Sequence, residues 1–192
     1  FNSIQAQQHL TFGEVYDFQP GDVYQRHAYN EGNEYFYLDS IISRTENTDT
    51  IFYTISQRTK GYENLLQTYY DYTDMLNLKF KKTDSIIISN GINQSYSNSV
   101  YYHALPLTNY FSDFVNEVEL SSNTYKVERN LSQVREYKKG LGVSYYDFGI
   151  GESYSLVYYR KNGIESGIRN NMVLSILDNQ IQAGIYPNPA TN

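Results

Sequence analysis

Alternation of apolar and polar residues recurs in at least five segments of this 192-residue chain and constrains its fold more than any other feature. In "DTIFYTISQR" the side chains of Ile51, Tyr53 and Ile55 share one face, while polar residues occupy most of the other. A repeat of two is that of a half-buried strand, whereas a helix repeats every 3.6 residues. The sequence therefore predicts a mainly antiparallel all-β domain with at most one or two short helices.

Turn-forming residues between the alternating segments predict hairpins. A strand from about Glu34 to Arg44 is followed by the turn formers Thr45 to Asp49, and then by the segment quoted above. Ser121 to Asn123 separates two further alternating runs, and Asn162-Gly163 is the strongest short hairpin signal in the chain. The most regular amphipathic strand is "MLNLKFKK", in which three apolar residues alternate with polar ones: Leu76, Leu78 and Phe80.

One segment has the spacing of a helix. In "TNYFSDFVNEV" the apolar residues recur at i, i+3, i+4 and i+7, after a cap at Thr108 or Asn109. These apolar residues are Phe111, Phe114, Val115 and Val118. A second segment, "NNMVLSILD" from Asn170 to Asp178, has too many adjacent apolar residues for its period to separate a helix from a final strand.

A short pattern occurs twice, as "YDFQPGDVY" from Tyr16 to Tyr24 and as "YDFGIGESY" from Tyr146 to Tyr154. The pattern predicts a tight connection in which Gly21 or Gly151 takes a positive φ between extended segments. Its carboxylates would be the ligands of an alternative calcium site, namely Asp17, Asp22, Asp147 and Glu152. Calcium loops place more oxygen ligands at closer spacing, so we predict no metal site.

Composition excludes several functional classes. The chain has no cysteine, which rules out disulfides, thiolate zinc sites and a cysteine nucleophile. A net charge of −6 gives no electrostatic reason to bind nucleic acid, and no apolar run is long enough to span a membrane. His9, His27 and His103 are far apart, and no nucleophile elbow or phosphate-binding loop occurs. We therefore predict neither catalytic residues nor a cofactor, although a glycosidase-type carboxylate pair stays open.

The 22 tyrosines allow two interpretations. Tyrosine packs well on a pleated sheet, and exposed tyrosines also form aromatic platforms for sugars or peptides. "YFYL" at Tyr35 to Leu38 and "LVYY" at Leu156 to Tyr159 place large apolar side chains on both sides of the sheet. The second side must then be covered, either by the chain itself or by a ligand. In the latter case Tyr37 and Tyr159 are the predicted ligand-binding residues.

Two segments resemble a broad set of bacterial cell-envelope and secreted proteins. These are "FGEVYDFQPGDVYQRHAY" and "REYKKGLGVSYYDF" with the "SLVYYRKNG" that follows, over about Phe12 to Gly167. In such proteins an opening Gly-x-x-Tyr strand and a late Tyr-x-x-Gly-x-Gly segment bracket a strongly curved antiparallel sheet. The resemblance implies a half-barrel or sandwich. Some related curved sheets resemble lipoprotein carriers, which hold a lipid chain in the concave face.

The end of the chain, "IYPNPATN", resembles the opening of the C-terminal sorting domain of the type IX secretion system. The matching residues are Tyr186, Pro187, Asn188, Pro189 and Ala190. We therefore expect residues 183–192 to be a linker and the start of a truncated sorting domain, and residues 8–182 to form a single β-rich domain. Residues 1–7 resemble the end of a signal peptide, or else form a disordered N-terminus. The resemblance implies secretion to the surface of a Gram-negative bacterium, with the type IX machinery as partner.

Three functional hypotheses follow. The first is a non-catalytic secreted or surface-attached module for binding, adhesion or envelope structure, with a glycan or protein as ligand. The second is a carrier that shelters an apolar ligand or lipid in a curved sheet. The third, a secreted hydrolase, ranks below both. A sealed core would favour the first, a roomy apolar pocket the second, and two facing acids in a cleft the third.

Overall fold

A computed structural model describes residues 10–84, 86–88, 105–106, 115–121, 123–129, 133–147 and 151–170. Within these ranges the chain forms one helix, α1, and strands β1 to β12. The helix is Phe12–Val15. The strands are β1 Val23–Asn30, β2 Asn33–Glu46, β3 Thr50–Glu63, β4 Thr68–Lys81, β5 Ile87–Ile88, β6 Leu105–Pro106, β7 Val115–Ser121, β8 Thr124–Arg129, β9 Gln133–Lys138, β10 Gly142–Asp147, β11 Glu152–Lys161 and β12 Ile164–Gly167.

Ten strands form one sheet, in the order β4-β3-β2-β1-β11-β10-β9-β8-β7, with β12 paired to β11 beside this path. All the pairings in this sheet are antiparallel, whereas β5 and β6 form a separate parallel pair. Among the described strands, β4 and β7 lie at the two ends of this order and do not pair with each other, so the sheet is open rather than a closed barrel. The prediction of a mainly antiparallel all-β fold with few helices is confirmed.

The predicted hairpins are present, with longer strands than the sequence indicates. Thr45 and Glu46 pair with Phe52 and Ile51, which leaves only residues 47–49 for the turn between β2 and β3. Asn162 and Gly163 connect β11 to β12 with φ of 51° and 78°. Positive φ at both positions is what a two-residue type I′ hairpin requires, so this prediction is confirmed.

The predicted helix is wrong. The helix predicted for "TNYFSDFVNEV" fails at its C-terminal end, because Val115 and Val118 lie in β7. Val118 is opposite Lys126 of β8, and this strand pairing overrides the local helical spacing. Residues 108–114 of that segment and residues 171–178 of the other ambiguous segment lie outside the described residues, as do the predicted terminal segments 1–7 and 183–192.

The opening Gly-x-x-Tyr segment, implied to be a strand, is instead α1 and its C-terminal cap. Thr11 and Glu14 form a capping box. The Glu14 backbone N–H donates to the Thr11 hydroxyl at 3.3 Å, and the Thr11 N–H donates to the Glu14 carboxylate at 2.9 Å. Because this box satisfies N–H groups that a helix start leaves unpaired, four residues suffice for a helical turn here. Thr-x-x-Glu was therefore the sequence signal for α1.

The repeated Tyr-Asp-Phe pattern gives the predicted turn glycines, since Gly21 and Gly151 have φ of 90° and 83°. This prediction is confirmed. Across the parts of the chain that the structure describes, no three His, Asp or Glu side chains are grouped so as to hold a metal ion.

The hydrophobic core lies on one side of the sheet, which we call the core-facing side. Phe12 and Tyr16 of the N-terminal segment stack on Phe80 of β4, with ring centroids 5.2 and 4.8 Å apart. Phe18 packs on Tyr24 of β1 at 4.7 Å. All five rings are fully buried. The N-terminal segment thus covers the core-facing side. We call the opposite side of β1–β4 the outer side; the N-terminal rings do not pack on it.

Candidate functional site

The predicted binding residues Tyr37 and Tyr159 both lie on the core-facing side. Tyr37 is opposite Arg26 of β1, and Tyr159 is opposite Tyr24 of the same strand. Both side chains are half-buried and pack against the hydrophobic core. Their position agrees with coverage of that side by the chain itself, and a ligand-binding role for either residue stays a prediction.

Next to Tyr37, the core-facing side contains a buried polar group centred on Asp39. This carboxylate accepts hydrogen bonds from the Arg26 guanidinium and, at 2.7 Å, from the side-chain amide of Gln57. Arg26 and Asp39 are both completely buried. A buried carboxylate with two donors is compensated, so we assign this group to the stability of the fold rather than to binding.

A second buried group joins β9, β10 and β11. The Arg135 guanidinium lies over the ring of Tyr146, 4.6 Å from its centroid, among the buried side chains of Tyr137 and Tyr154. Burial raises the pKa of both Tyr137 and Tyr154, so these hydroxyls stay neutral at physiological pH. Because these tyrosines are closed off from solvent, a soluble ligand has no access to them.

The outer side of β1–β4 has a regular arrangement that follows from the strand register. Tyr29, Glu34, Tyr62 and Tyr69 are cross-strand partners in one row. His27, Phe36, Lys60 and Asp71 form the next row. Leu38, Arg58 and Thr73 continue the pattern on β2 to β4. Successive rows are about 7 Å apart, because every second residue of a strand points to the same side.

Two neighbouring grooves run over these rows. The first, which we call the aromatic groove, has a volume of about 340 Å³ and is lined by Phe36, Lys60, Tyr62, Tyr69 and Asp71, together with Glu34, Gly61 and Tyr70. The second, the polar groove, has a volume of about 430 Å³ and is lined by Leu38, Ser40, Ser56, Arg58, Asp71, Tyr72 and Thr73. Asp71 lines both grooves and therefore lies at their boundary.

Ion pairs fix the position of Asp71. Arg58 donates from Nε to Oδ1 at 2.9 Å and from Nη2 to Oδ2 at 3.0 Å, and the Lys60 ammonium is 3.5 Å from Oδ2. The hydrogen bonds from Arg58 hold the pKa of Asp71 below its usual value. The carboxylate therefore stays charged into acidic pH and is suited to accept hydrogen bonds, whereas a glycosidase general acid needs a raised pKa.

The aromatic groove presents rings at several levels of exposure. Tyr69 is 81% exposed, and its ring is 4.6 Å from that of the half-buried Tyr62. Phe36 stacks on the His27 imidazole at 4.7 Å, and His27 Nε2 is 2.7 Å from a carboxylate oxygen of Glu34. Ring faces next to fixed charges can bind a ligand that has both apolar and hydrogen-bonding surfaces.

Sequence reasoning missed this site. The tyrosine-rich stretch "YENLLQTYYDY" from Tyr62 to Tyr72 was an available signal, but only the β3–β4 register shows that Tyr62 and Tyr69 point to the same side. The predicted sorting residues, Tyr186 to Pro189, lie outside the described residues, as do His9 and His103. None of the helices in the described part of the chain is long and apolar enough to cross a membrane.

Comparison with known proteins gives no further assignment. No family model, no curated protein and no solved structure matches this chain.

Proposed function

We propose that this protein is a non-catalytic binding module and that it binds a neutral glycan in the aromatic and polar grooves of the outer side. One observation carries the proposal: the rings of Phe36, Tyr62 and Tyr69 line an open groove that ends at the charged carboxylate of Asp71. Asp71 lines both grooves, so one extended ligand can contact the two together, which fits an extended chain better than a compact small molecule.

The chemistry of a sugar matches these groups. One face of a pyranose ring carries C–H bonds that pack on the electron-rich face of an aromatic ring, and its hydroxyls need hydrogen-bond partners. Asp71 supplies a charged acceptor, and Arg58 and Lys60 supply charged donors, which make stronger hydrogen bonds than neutral groups. Since Glu34 and Asp71 balance Arg58 and Lys60 around the grooves, no net charge favours an anionic or cationic ligand.

Removing the most exposed ring should weaken this binding. We expect Tyr69→Ala to cost about 1–2 kcal/mol of binding free energy, roughly a 5- to 30-fold rise in Kd, because one ring face is lost. The free energy of unfolding of the Tyr69→Ala variant should hardly change, since the Tyr69 side chain is largely exposed. Binding to a panel of neutral oligosaccharides, followed by titration calorimetry on the best ligand, measures the effect.

Phe52→Ala is the matched control, because Phe52 is also an outer-side aromatic of the β3–β4 hairpin and lines neither groove. It should bind like the unchanged chain. Equal binding of Tyr69→Ala and the unchanged chain would contradict the proposal. So would the absence of glycan binding, or binding to a protein ligand that Tyr69→Ala abolishes.

We further propose that this module acts outside the cell, as a secreted or surface-attached protein of a Gram-negative bacterium. The support is the sequence Tyr186-Pro187-Asn188-Pro189, which resembles the start of a type IX sorting domain. A glycan-binding surface is also of use where polysaccharides are exposed.

The location has a direct test in the bacterium that encodes this chain. Deleting an essential component of its type IX machinery should move the protein from the cell surface or medium to the periplasm. Immunoblots of cell fractions measure the change, with a periplasmic enzyme as fractionation control. An unchanged distribution in the deletion strain would remove the type IX assignment and leave the glycan-binding proposal intact.

A further inference from the structure

Strand β4 is one end of the sheet and is unusually long for an edge strand. Its inner edge pairs with β3 over 14 residue pairs, from Glu63 with Thr68 to Thr50 with Lys81, without any shift of register. No other strand of the described residues pairs with its second edge. A regular edge strand presents a row of backbone N–H and C=O groups that can pair with another strand.

Two of the features that usually prevent such pairing, proline and a β-bulge, are absent from this edge. Thr68–Lys81 contains no proline, and its ladder with β3 contains no bulge. Three large side chains on β4 are exposed: Tyr69, Tyr72 and Met75. Lysine, the most common protective residue, occurs only towards the C-terminal end, at Lys79 and Lys81.

We propose that the free edge of β4 binds β4 of a second copy of this chain, antiparallel, with the two-fold axis at Met75. The charges along the strand support this occupant. Asp71 precedes Met75, and Lys79 and Lys81 follow it on the same side of the strand, so an antiparallel copy brings opposite charges together. With Met75 on the axis, Asp71 lies opposite Lys79 of the second copy, and the contact occurs twice by symmetry.

The rest of this register is also compatible. Tyr69 lies opposite Lys81, and Thr73 opposite Asn77, on the outer side. On the core-facing side Tyr70 lies opposite Phe80 and Tyr72 opposite Leu78, while the exposed Asp74 lies opposite Leu76. Aromatic–aliphatic and opposite-charge pairs are the cross-strand contacts that stabilise sheets. The register spans about 13 residue pairs and about a dozen backbone hydrogen bonds, similar to the roughly ten of a typical protein interface.

Neighbouring registers are less suitable. Moving the axis to Asp74 places its carboxylate opposite that of the second copy, and like charges in this position are destabilising. Moving it to Leu76 keeps one opposite-charge pair, Asp71 with Lys81, but shortens the ladder and leaves Tyr69 outside it. The absence of opposed carboxylates and the longer ladder therefore favour the axis at Met75.

The dimer has a consequence for binding that rests on the proposed glycan function. The two-fold axis is perpendicular to the joined sheet, so both outer sides face the same way and the two pairs of grooves lie on either side of the axis. Two sites on one rigid sheet bind a polymer with higher avidity than one site.

A cysteine crosslink tests the register directly, because the chain has no cysteine of its own. Met75→Cys places two thiols opposite each other on the axis, within reach of a disulfide. Under mild oxidation this variant should form a covalent dimer, whereas Ile42→Cys should stay monomeric. Ile42 is a matched control, since it is 54% exposed against 56% for Met75 and lies on the interior strand β2. A mixture of Thr73→Cys and Asn77→Cys chains should crosslink, and Leu76→Cys alone should not.

The mass in solution gives an independent measurement. Light scattering or sedimentation of the unchanged chain should approach twice the 22.4 kDa monomer mass as concentration rises. Lys79→Glu should raise the dimer dissociation constant at least tenfold, since a carboxylate then lies opposite Asp71. Lys138→Glu, on β9, should leave it unchanged. A monomer at all concentrations would overturn the proposal. Equal crosslinking of Met75→Cys and Ile42→Cys would also overturn it.

Discussion

Replacing Phe80 by alanine should lower the free energy of unfolding by about 3–5 kcal/mol, because a completely buried ring is removed and a cavity remains. The Phe80 ring contacts Phe12 and Tyr16 of the N-terminal segment and Tyr53 of β3. The substitution therefore weakens the attachment of that segment to the sheet as well as the β3–β4 hairpin. Urea unfolding followed by circular dichroism measures the loss.

Phe52→Ala is the control for this prediction. Phe52 lies on the outer side of the neighbouring strand, and its ring is partly exposed with the Lys79 ammonium 5.8 Å from its centroid. Its removal should cost less than about 1 kcal/mol. If the two substitutions were equally destabilising, the core would not lie on the side where the structure places it.

Replacing Asp39 by alanine should destabilise the protein by about 3–5 kcal/mol, because the buried Arg26 guanidinium then loses its carboxylate. Gln57 also loses the acceptor of its side-chain amide. Both donors are buried, so water cannot easily replace the lost acceptor. Urea unfolding of the single and double variants measures the effect.

The double variant Arg26→Met, Asp39→Leu separates the free-energy cost of burying an unpaired charge from the contribution of the ion pair to stability. Well-packed apolar residues can replace a buried pair at little cost, so this variant should recover most of the lost stability. As a surface comparison, Lys82→Ala removes the contact to the half-exposed Glu46 and should leave the unfolding midpoint nearly unchanged. A double variant as unstable as Asp39→Ala would show that the polar contacts themselves are required.

Local sequence patterns were sufficient for the strands and several turns. Alternation in "DTIFYTISQR" and "MLNLKFKK" predicted β3 and β4, and Asn162-Gly163 predicted the β11–β12 turn. These features depend on neighbouring residues alone, through the period of two and the positive φ of the turn. The same local reasoning failed at Val115–Val118, because pairing with β8 outweighed the helical spacing.

The candidate site could not be derived in the same way. Period two shows that Tyr35 and Tyr37 share one side of β2 and that Phe36 lies on the other, but it does not show which side the core covers. That depends on where the N-terminal segment packs, and its short helix α1 places Phe12 and Tyr16 on Phe80. The outer side was thereby left for Phe36, Tyr62 and Tyr69.

Local sequence patterns are enough to identify this chain as an antiparallel β protein with tyrosine-rich strands, since alternation and turn residues act over a few positions. Those patterns do not show that β1 pairs with β11, more than a hundred residues later, or that Tyr62, Tyr69 and Asp71 line one groove; both follow from the three-dimensional packing of the chain. Contacts between distant segments depend on register and on which surface each segment buries. These are set by packing the whole chain, where the burial of the rings around Phe80 outweighs any local preference.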